Sequence, residues 1–357
     1  MTLCFDTSKT YAVALEGGGA RGAYQVGAWK ALREVGIKID AVAGTSVGAL
    51  NGAMMASGDF DLAENLWQNM TFSRVMEVDD TVMRNLMHGN LLDLNLKNLS
   101  AKTKTILKEG GFDVSPLKGL IKECVNHEKI VVGPDFYICT HSLTDKKGLE
   151  LKAQDLDEKT LPEMLLASAY FPAFKQEPIG GKRYTDGGVS NVLPLSPLIK
   201  AGHKNILAIR LYGFGVKKKV TLPADTKVFE IAPNRDLGNM LNFDTESCRE
   251  NFTLGYFDAK RLLYGLYGEK YYIDRTMSEA DAFDILCAVT RNKSGNESNL
   301  RQLHERVSAL SRHSKSKGDY YDVLVAFLEK SAEKLGINEF CIFTDKELIN
   351  LIGRTVD

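Results

Sequence analysis

Three short stretches of the 357-residue chain carry residue types that could do chemistry. "GTSVG" sets Ser46 between Gly44 and Gly48, "EGGGARG" runs through Gly17, Gly18, Gly19, Ala20, Arg21 and Gly22, and "TDGG" puts Asp186 ahead of Gly187 and Gly188. A serine in Gly-x-Ser-x-Gly, with a strand before it and a helix after it, is held on a strained turn with its oxygen projecting from the sheet. Small neighbours are needed there because strand and helix pack close. The N-terminus of the following helix also favours negative charge developing on an attacking serine. Such a serine can instead serve only as a helix cap. The presence of the glycine loop favours the nucleophile.

That loop follows the apolar strand "YAVAL" and opens a helix. Glycines let another group approach the main chain, and a helix start bares N–H groups toward an anion. Two anions suit it. Gly17-x-Gly19-x-x-Gly22 with Asp40 downstream fits a dinucleotide-binding loop. Asp40, however, precedes the strand "AVAG" instead of closing it, and the residues at that strand's tip are those around Ser46. Two adjacent parallel strands would then set the nucleophile beside the glycine amides. The negative oxygen of a tetrahedral acyl intermediate could sit against Gly17 to Ala20. Arg21 would hold the loop's shape or attract an anionic head group.

A serine nucleophile needs a proton acceptor. The six histidines are His88, His127, His141, His203, His304 and His313. Of these His203, which follows Asp186 in chain order, would suit a Ser-Asp-His triad. Asp186 itself ends a strand before two glycines. An Asp-Gly turn is a common structural device, so the base stays open between these two residues on this evidence. An ordinary aspartate is a weak base, and burial would raise its pKa and basicity.

The elements that must position these residues read as strand, glycine loop, helix (about 21–35), strand, turn, helix over the first 60 residues. Two successive β-turn-α units argue for a parallel sheet covered by helices. Residues 59–126 are helical and rich in methionine (Met70, Met76, Met83, Met87), which suits core packing or an adaptable cover over an apolar cleft. "DFYICTHSL" and "NILAIRLYG" read as buried strands and "LPEMLLASAYFPAF" as a helix ended by Pro172. The lysine triplet Lys217–Lys219 reads as a solvated loop. "NLRQLHERVSAL" and "YDVLVAFLEKSAEKLG" read as C-terminal helices after the polar linker "RNKSGNES".

Composition narrows the function classes. With 44% hydrophobic and 25% charged residues and a net charge of −1, the chain has the balance of a soluble globular protein and lacks the basic footprint of a nucleic-acid binder. Six scattered cysteines without C-x-x-C spacing argue for free thiols in a reducing cytoplasm, not for a disulfide framework or a metal site. There is no signal-peptide pattern and no run approaching the roughly 18–20 apolar residues of a membrane span. Contact with membrane is therefore expected to be peripheral.

Taken in order, "GGGARG" after a strand, "GTSVG" and "DGG" resemble the patatin-like phospholipase family. "ASAYFPAF", "DGGVSNVLP" with Asn191 and Pro194, and "FDVSPLKGLI" add to the likeness, which covers roughly residues 10–213. The segment "SAYFPAF" is bulkier at Tyr170–Phe171 than the family's small residues, a difference expected to touch the acyl channel. The resemblance implies Ser46 as nucleophile, Asp186 as base with no histidine, and Gly17 to Gly19 with nearby amides as oxyanion hole. It also implies an α/β fold, a three-layer α/β/α with a mainly parallel sheet. The expected organisation is a catalytic domain over 8–213, with 59–126 as a helical insertion, and a mostly helical region over 214–357. The expected activity is hydrolysis of fatty-acyl esters of phospholipids or related glycerolipids, without cofactor or calcium. The rivals are a nucleotide-binding protein using Gly17–Gly22, a Ser-Asp-His esterase using His203, and a regulated effector on a hydrolase scaffold.

Overall fold

Alternation of side chains builds the centre of the protein. In β1 (Thr10–Leu15) and β2 (Lys38–Thr45) the alanines Ala12, Ala14, Ala41 and Ala43 fall on one face, packed against Leu193 and Leu198. With a period of two, Val13, Leu15 and Val42 take the other face. The computed structural model describes residues 1–88, 111–291 and 319–356. These divide into two compact units, residues 6–259 and residues 1–5 with 260–357.

The larger unit is organised on a seven-stranded sheet. To β1 and β2 it adds β3 (Asp135–Ser142), β4 (Lys147–Lys152), β5 (Tyr184–Thr185), β6 (Asn205–Ile209) and β7 (Lys227–Ile231). The order is β4-β3-β2-β1-β6-β7, with β5 paired to β3. The β1, β2, β3, β6 and β7 pairings are parallel, whereas β4 and β5 run antiparallel to β3. On the Val42 face lies α2 (Val47–Ser57), close enough that a Cβ on Gly52 would touch Phe136 and Val42. The alanine face carries the short helix α8 (Leu195–Lys200), so helices cover both faces in three layers.

Around this frame run α1 (Ala23–Glu34), α3 (Phe60–Gln68), α4 (Asp80–His88), α5 (Ser115–Cys124), α6 (His127–Val132) and α7 (Thr160–Ser168). Helix α9 (Thr245–Tyr264) follows, and the larger unit ends within it at Ala259. The methionine-rich stretch is helical over Phe60–Gln68 and Asp80–His88, whereas Met70 and Met76 lie in the irregular segment between these helices; Met70, Met76 and Met83 are buried. Residues 89–110 of the expected cover lie outside the described residues.

Residue 213, expected to close the catalytic domain, lies inside the larger unit. The unit continues to Ala259 because β7 extends the sheet beyond β6. The smaller unit contains α10 (Glu279–Arg291), α11 (Tyr320–Lys334), α12 (Asp345–Val356) and a parallel pair, β8 (Tyr272–Asp274) with β9 (Ile342–Thr344). Its core gathers Tyr271, Ile273, Tyr321, Leu324, Leu328 and Leu348. Buried Asp345 accepts from the Thr276 and Met277 amides at 2.7 and 3.1 Å and from the Tyr321 hydroxyl at 3.2 Å. The helix expected over 299–310 and most of the linker before it lie outside the described residues; α11 stands where the last helix was read.

Parallel pairing brings the strand tips to one edge. Leu15 is opposite Gly44 on one side and Ile209 on the other, and Thr45 is opposite Cys139. From β1 the chain goes first to β2 and later returns to β6 on the opposite side. Strand order therefore reverses at β1, and the crevice beyond the carboxyl ends is where such sheets take ligands.

Candidate active site

Ser46 joins β2 to α2 with φ 56° and ψ −126°, a left-handed backbone that a non-glycine residue adopts only when its surroundings enforce it. The enforcement is visible. The Ser46 N–H donates to Ser168 Oγ at 2.9 Å, and the Ser168 hydroxyl donates to the Cys139 carbonyl at 2.6 Å, tying the turn to α7 and β3. A Cβ on Gly44 would lie 2.2 Å from the Gly48 carbonyl oxygen, and one on Gly48 2.3 Å from that of Leu15. Glycine is thus required on both sides of the serine for close helix–strand packing. The Ser46 side chain makes no cap bond to α2.

Asp186 follows β5, its N–H donating to the Tyr170 carbonyl at 2.9 Å. Its Oδ1 accepts the Gly188 N–H at 2.8 Å, and the Ser46 side chain is the carboxyl's other polar neighbour. Burial pushes the carboxyl up to about 6, against the lowering effect of those two neighbours. The turn can come this deep because Gly187 presses on β3: a Cβ there would lie 2.1 Å from the Cys139 carbonyl oxygen. Asn191 takes a structural part, its carbonyl accepting from Thr45 Oγ1 at 2.8 Å, and Pro194 precedes α8.

The glycine loop narrows the expected set of anion-binding amides. The Gly17 N–H donates to Val192 O at 3.0 Å and the Ala20 N–H to Met240 O at 2.8 Å, so neither is free for a ligand. Among the described residues no acceptor faces the Gly18 or Gly19 N–H, and these remain as candidate donors. Gly17 packs against the Ser46 turn: a Cβ there would lie 3.3 Å from Ser46 Cβ. Arg21 holds the loop's shape, donating to the carbonyls of Gly238, Leu211 and Tyr212 at 2.8, 3.1 and 2.9 Å. Gly22 brings α1 against Val47, where a Cβ would clash at 2.4 Å.

Three supporting residues were not singled out from sequence. Ser168 is one. Glu16, fully buried at the tip of β1, accepts from the Leu211 and Tyr212 amides at 2.6 and 2.9 Å and from Arg210 Nε at 3.0 Å. Asn51, on α2, donates to the Gly22 carbonyl at 3.0 Å and accepts from Trp67 Nε1 at 2.9 Å. The signal available was a charge directly after a buried run: Glu16 closes "AVAL" and Arg210 closes "NILAI". Such charges at strand tips are buried only when paired.

The expected rivals of Asp186 lie elsewhere. His203 precedes β6 and sits 3.4 Å from Asp40, which lies in the first half of β2 and also accepts from Thr10 Oγ1 at 2.5 Å. Both are at the amino ends of the strands. At roughly 3.3 Å per residue, Asp40 is on the order of 16 Å along β2 from the glycine loop's edge. That distance removes His203 from the serine and Asp40 from a nucleotide ribose.

Gly18, Gly19, Ser46 and Asp186 open on one cleft of about 950 Å³, counting its mouth. Its wall is almost wholly apolar, formed by Met54, Leu66 and Met70, Leu120 and Ile121 of α5, and Phe171 and Phe174 among others. Phe171, one of the two bulky residues of "SAYFPAF", thus lines the channel, while Tyr170 is buried and holds Asp186 through its carbonyl. None of the described histidines lines the cleft. No described helix is long and apolar enough to cross a membrane.

The sequence profile of one family, described as Patatin-like phospholipase, matches residues 13–199, just over half of the 357-residue chain. Similar curated proteins include "Lysophospholipase nte1" of Aspergillus terreus, 56% identical over 48 residues (13% of this chain and 3% of that protein). "Patatin-like phospholipase domain-containing protein 6" of Homo sapiens is 50% identical over 50 residues (14% and 4%). The aligned stretches thus span only a few per cent of those proteins. Among solved structures, VipD from Legionella pneumophila aligns with a TM-score of 0.45 and 12% identity, covering 97% of this chain and 88% of that one.

Proposed function

The chain belongs to the patatin-like phospholipase family, and from that premise we propose that it is a serine acyl hydrolase acting on fatty-acyl esters of phospholipids or related glycerolipids. Asp186 takes the proton from Ser46 Oγ as that oxygen attacks the ester carbonyl. The Gly18 and Gly19 N–H groups receive the oxyanion, and preorganised donors of this kind are worth about two to three orders of magnitude in rate. Collapse expels the lysolipid or alcohol, which takes up the proton held by Asp186. The carboxylate then draws a proton from water, whose attack on the acyl-enzyme frees the fatty acid and returns the serine.

The observation that carries this reading is the pairing of a strained serine with a buried carboxyl at the head of an apolar cleft. A carboxyl lifted to about 6 is a better base than an exposed aspartate yet still ionised at neutral pH. The cleft gives an acyl chain an apolar wall and gives a nucleotide few polar partners. The scattered spacing of Cys4, Cys124, Cys139, Cys248, Cys287 and Cys341, without a C-x-x-C pattern, supports placing the protein in a reducing, cytoplasmic compartment.

Incubation with a fluorophosphonate followed by mass spectrometry tests the assignment. One adduct on Ser46, formed far more slowly in Asp186→Ala, is expected. Folded protein that takes no label on Ser46 overturns it.

A further inference from the structure

The loop that leaves β6, "RLYGFGVKKK" (210–219), is built unlike a solvated turn. Phe214 is 88% exposed, and Tyr212, Val216 and Val189 of the neighbouring turn are about half exposed. These side chains are brought together by the backbone. The Val216 N–H donates to the Gly188 carbonyl at 2.8 Å, the Val192 N–H donates to Val216 O at 2.9 Å, and Glu16 and Arg21 grip Leu211 and Tyr212. Tyr212 has φ 48°, a left-handed strain in a residue that carries a Cβ. The exposure is therefore imposed by a fastened frame. Phe214 also lines the cleft, so the apolar wall inside continues to the apolar patch outside.

The patch is rimmed by positive charge. Lys218 pairs with Glu150, which also binds Lys200. Lys217 lies 5.9 Å over the Tyr212 ring, and among the described residues neither Lys217 nor Lys219 has a carboxylate partner. Exposed aromatics beside unpaired lysines match the two layers of an anionic lipid surface: acyl boundary for the rings, phosphate plane for the ammonium groups.

We propose that the 210–219 loop, with Val189, is the surface by which this protein docks on an anionic phospholipid interface and receives its substrate. The proposal rests on the acyl-hydrolase reading for its purpose, and it adds where the lipid comes from. The same loop is bonded to both the glycine loop and the Asp186 turn, so docking would occur with the mouth of the cleft facing the interface.

The experiment uses full-length Ser46→Ala, which removes hydrolysis during the assay. Sedimentation with phosphatidylcholine vesicles is compared with sedimentation on vesicles of equal parts phosphatidylcholine and phosphatidylserine. Binding to the anionic vesicles is expected, weakening with salt. Lys217→Glu with Lys219→Glu is expected to lower it by about tenfold or more, and Phe214→Ser to lower it further. Circular dichroism and thermal unfolding confirm that each variant is folded. Binding that ignores both substitutions, or no binding at all, overturns the proposal. Concentration-dependent self-association lost in Phe214→Ser would assign the patch to a second copy and also overturn it. Wild type that labels at Ser46 while Ser46→Ala ignores anionic vesicles refutes the surface alone, and Ser46→Ala that binds vesicles while wild type takes no label refutes the hydrolase reading.

Discussion

Asp186 pays for its candidate role with stability. Its carboxyl is pushed up from 3.8 to about 6 by burial. A group whose folded pKa exceeds its unfolded one favours the folded state fully below the unfolded value, and that contribution is lost as pH rises through about 6. At neutral pH the charge then costs the fold on the order of 1–3 kcal/mol. Asp186→Asn keeps an oxygen to accept the Gly188 N–H and removes the buried charge. It should therefore unfold at a higher temperature than the wild type at pH 7.5, with the gap closing toward pH 4, while ester hydrolysis falls by about three orders of magnitude. In the wild type kcat/KM should rise with pH through about 6 and then level, the signature of a carboxylate base. A rise centred near 4, or an Asn variant no more stable at any pH, would contradict the assignment. Sequence reached Ser46 and Asp186 because their motifs are local. It could not tell which amides in the glycine loop are free, since the acceptors of Gly17 and Ala20 lie at Val192 and Met240, far along the chain.

At the level of elements, the interior strands were legible and the edges were not. β1, β2, β3 and β6 are buried apolar runs, whereas β4 ("KGLELK") and β7 ("KVFEI") carry the charges that edge strands use against mispairing and lack the continuous apolar run that marks an interior strand. What the elements do for the site is seen in Glu16. It clamps the carboxyl ends of β1 and β6 together by taking two backbone amides and Arg210, all in a dry setting. A Gln at this position cannot neutralise Arg210, whose remaining partner Glu230 is half exposed. Breaking a buried pair from one side costs about 3–5 kcal/mol. Glu16→Gln should lower the unfolding midpoint by several degrees. Because the Gly18–Gly19 loop springs from this residue, it should also lower kcat on a soluble ester more than it raises KM. An unchanged kcat in the less stable protein would mean that Glu16 supports the fold but not the amides.

Across the whole molecule the cleft is assembled from residues that sequence keeps apart. Leu66 comes from α3, Leu120 from α5, Leu165 from α7 and Phe243 from the segment before α9, all lining the cleft that Ser46 also lines. No local pattern signals such a wall; each residue reads as ordinary core, and only the closing of the sheet and helices makes them one surface. The larger unit is therefore a fold that leaves an apolar channel open beside Ser46, and the channel's size should set which acyl chains fit. Leu120 is nearly buried, at 8% exposure, and faces the channel from α5. Leu120→Trp would fill part of the space that the distal end of a chain requires. Hydrolysis of long-chain esters should fall by about tenfold, since losing a few buried methylenes at about 0.8 kcal/mol each is enough. Butyrate esters, which need less of the cleft, should be cleaved at the wild-type rate. A uniform loss across chain lengths would show the substitution to have disturbed the fold, and no loss at all would place the acyl chain outside this cleft.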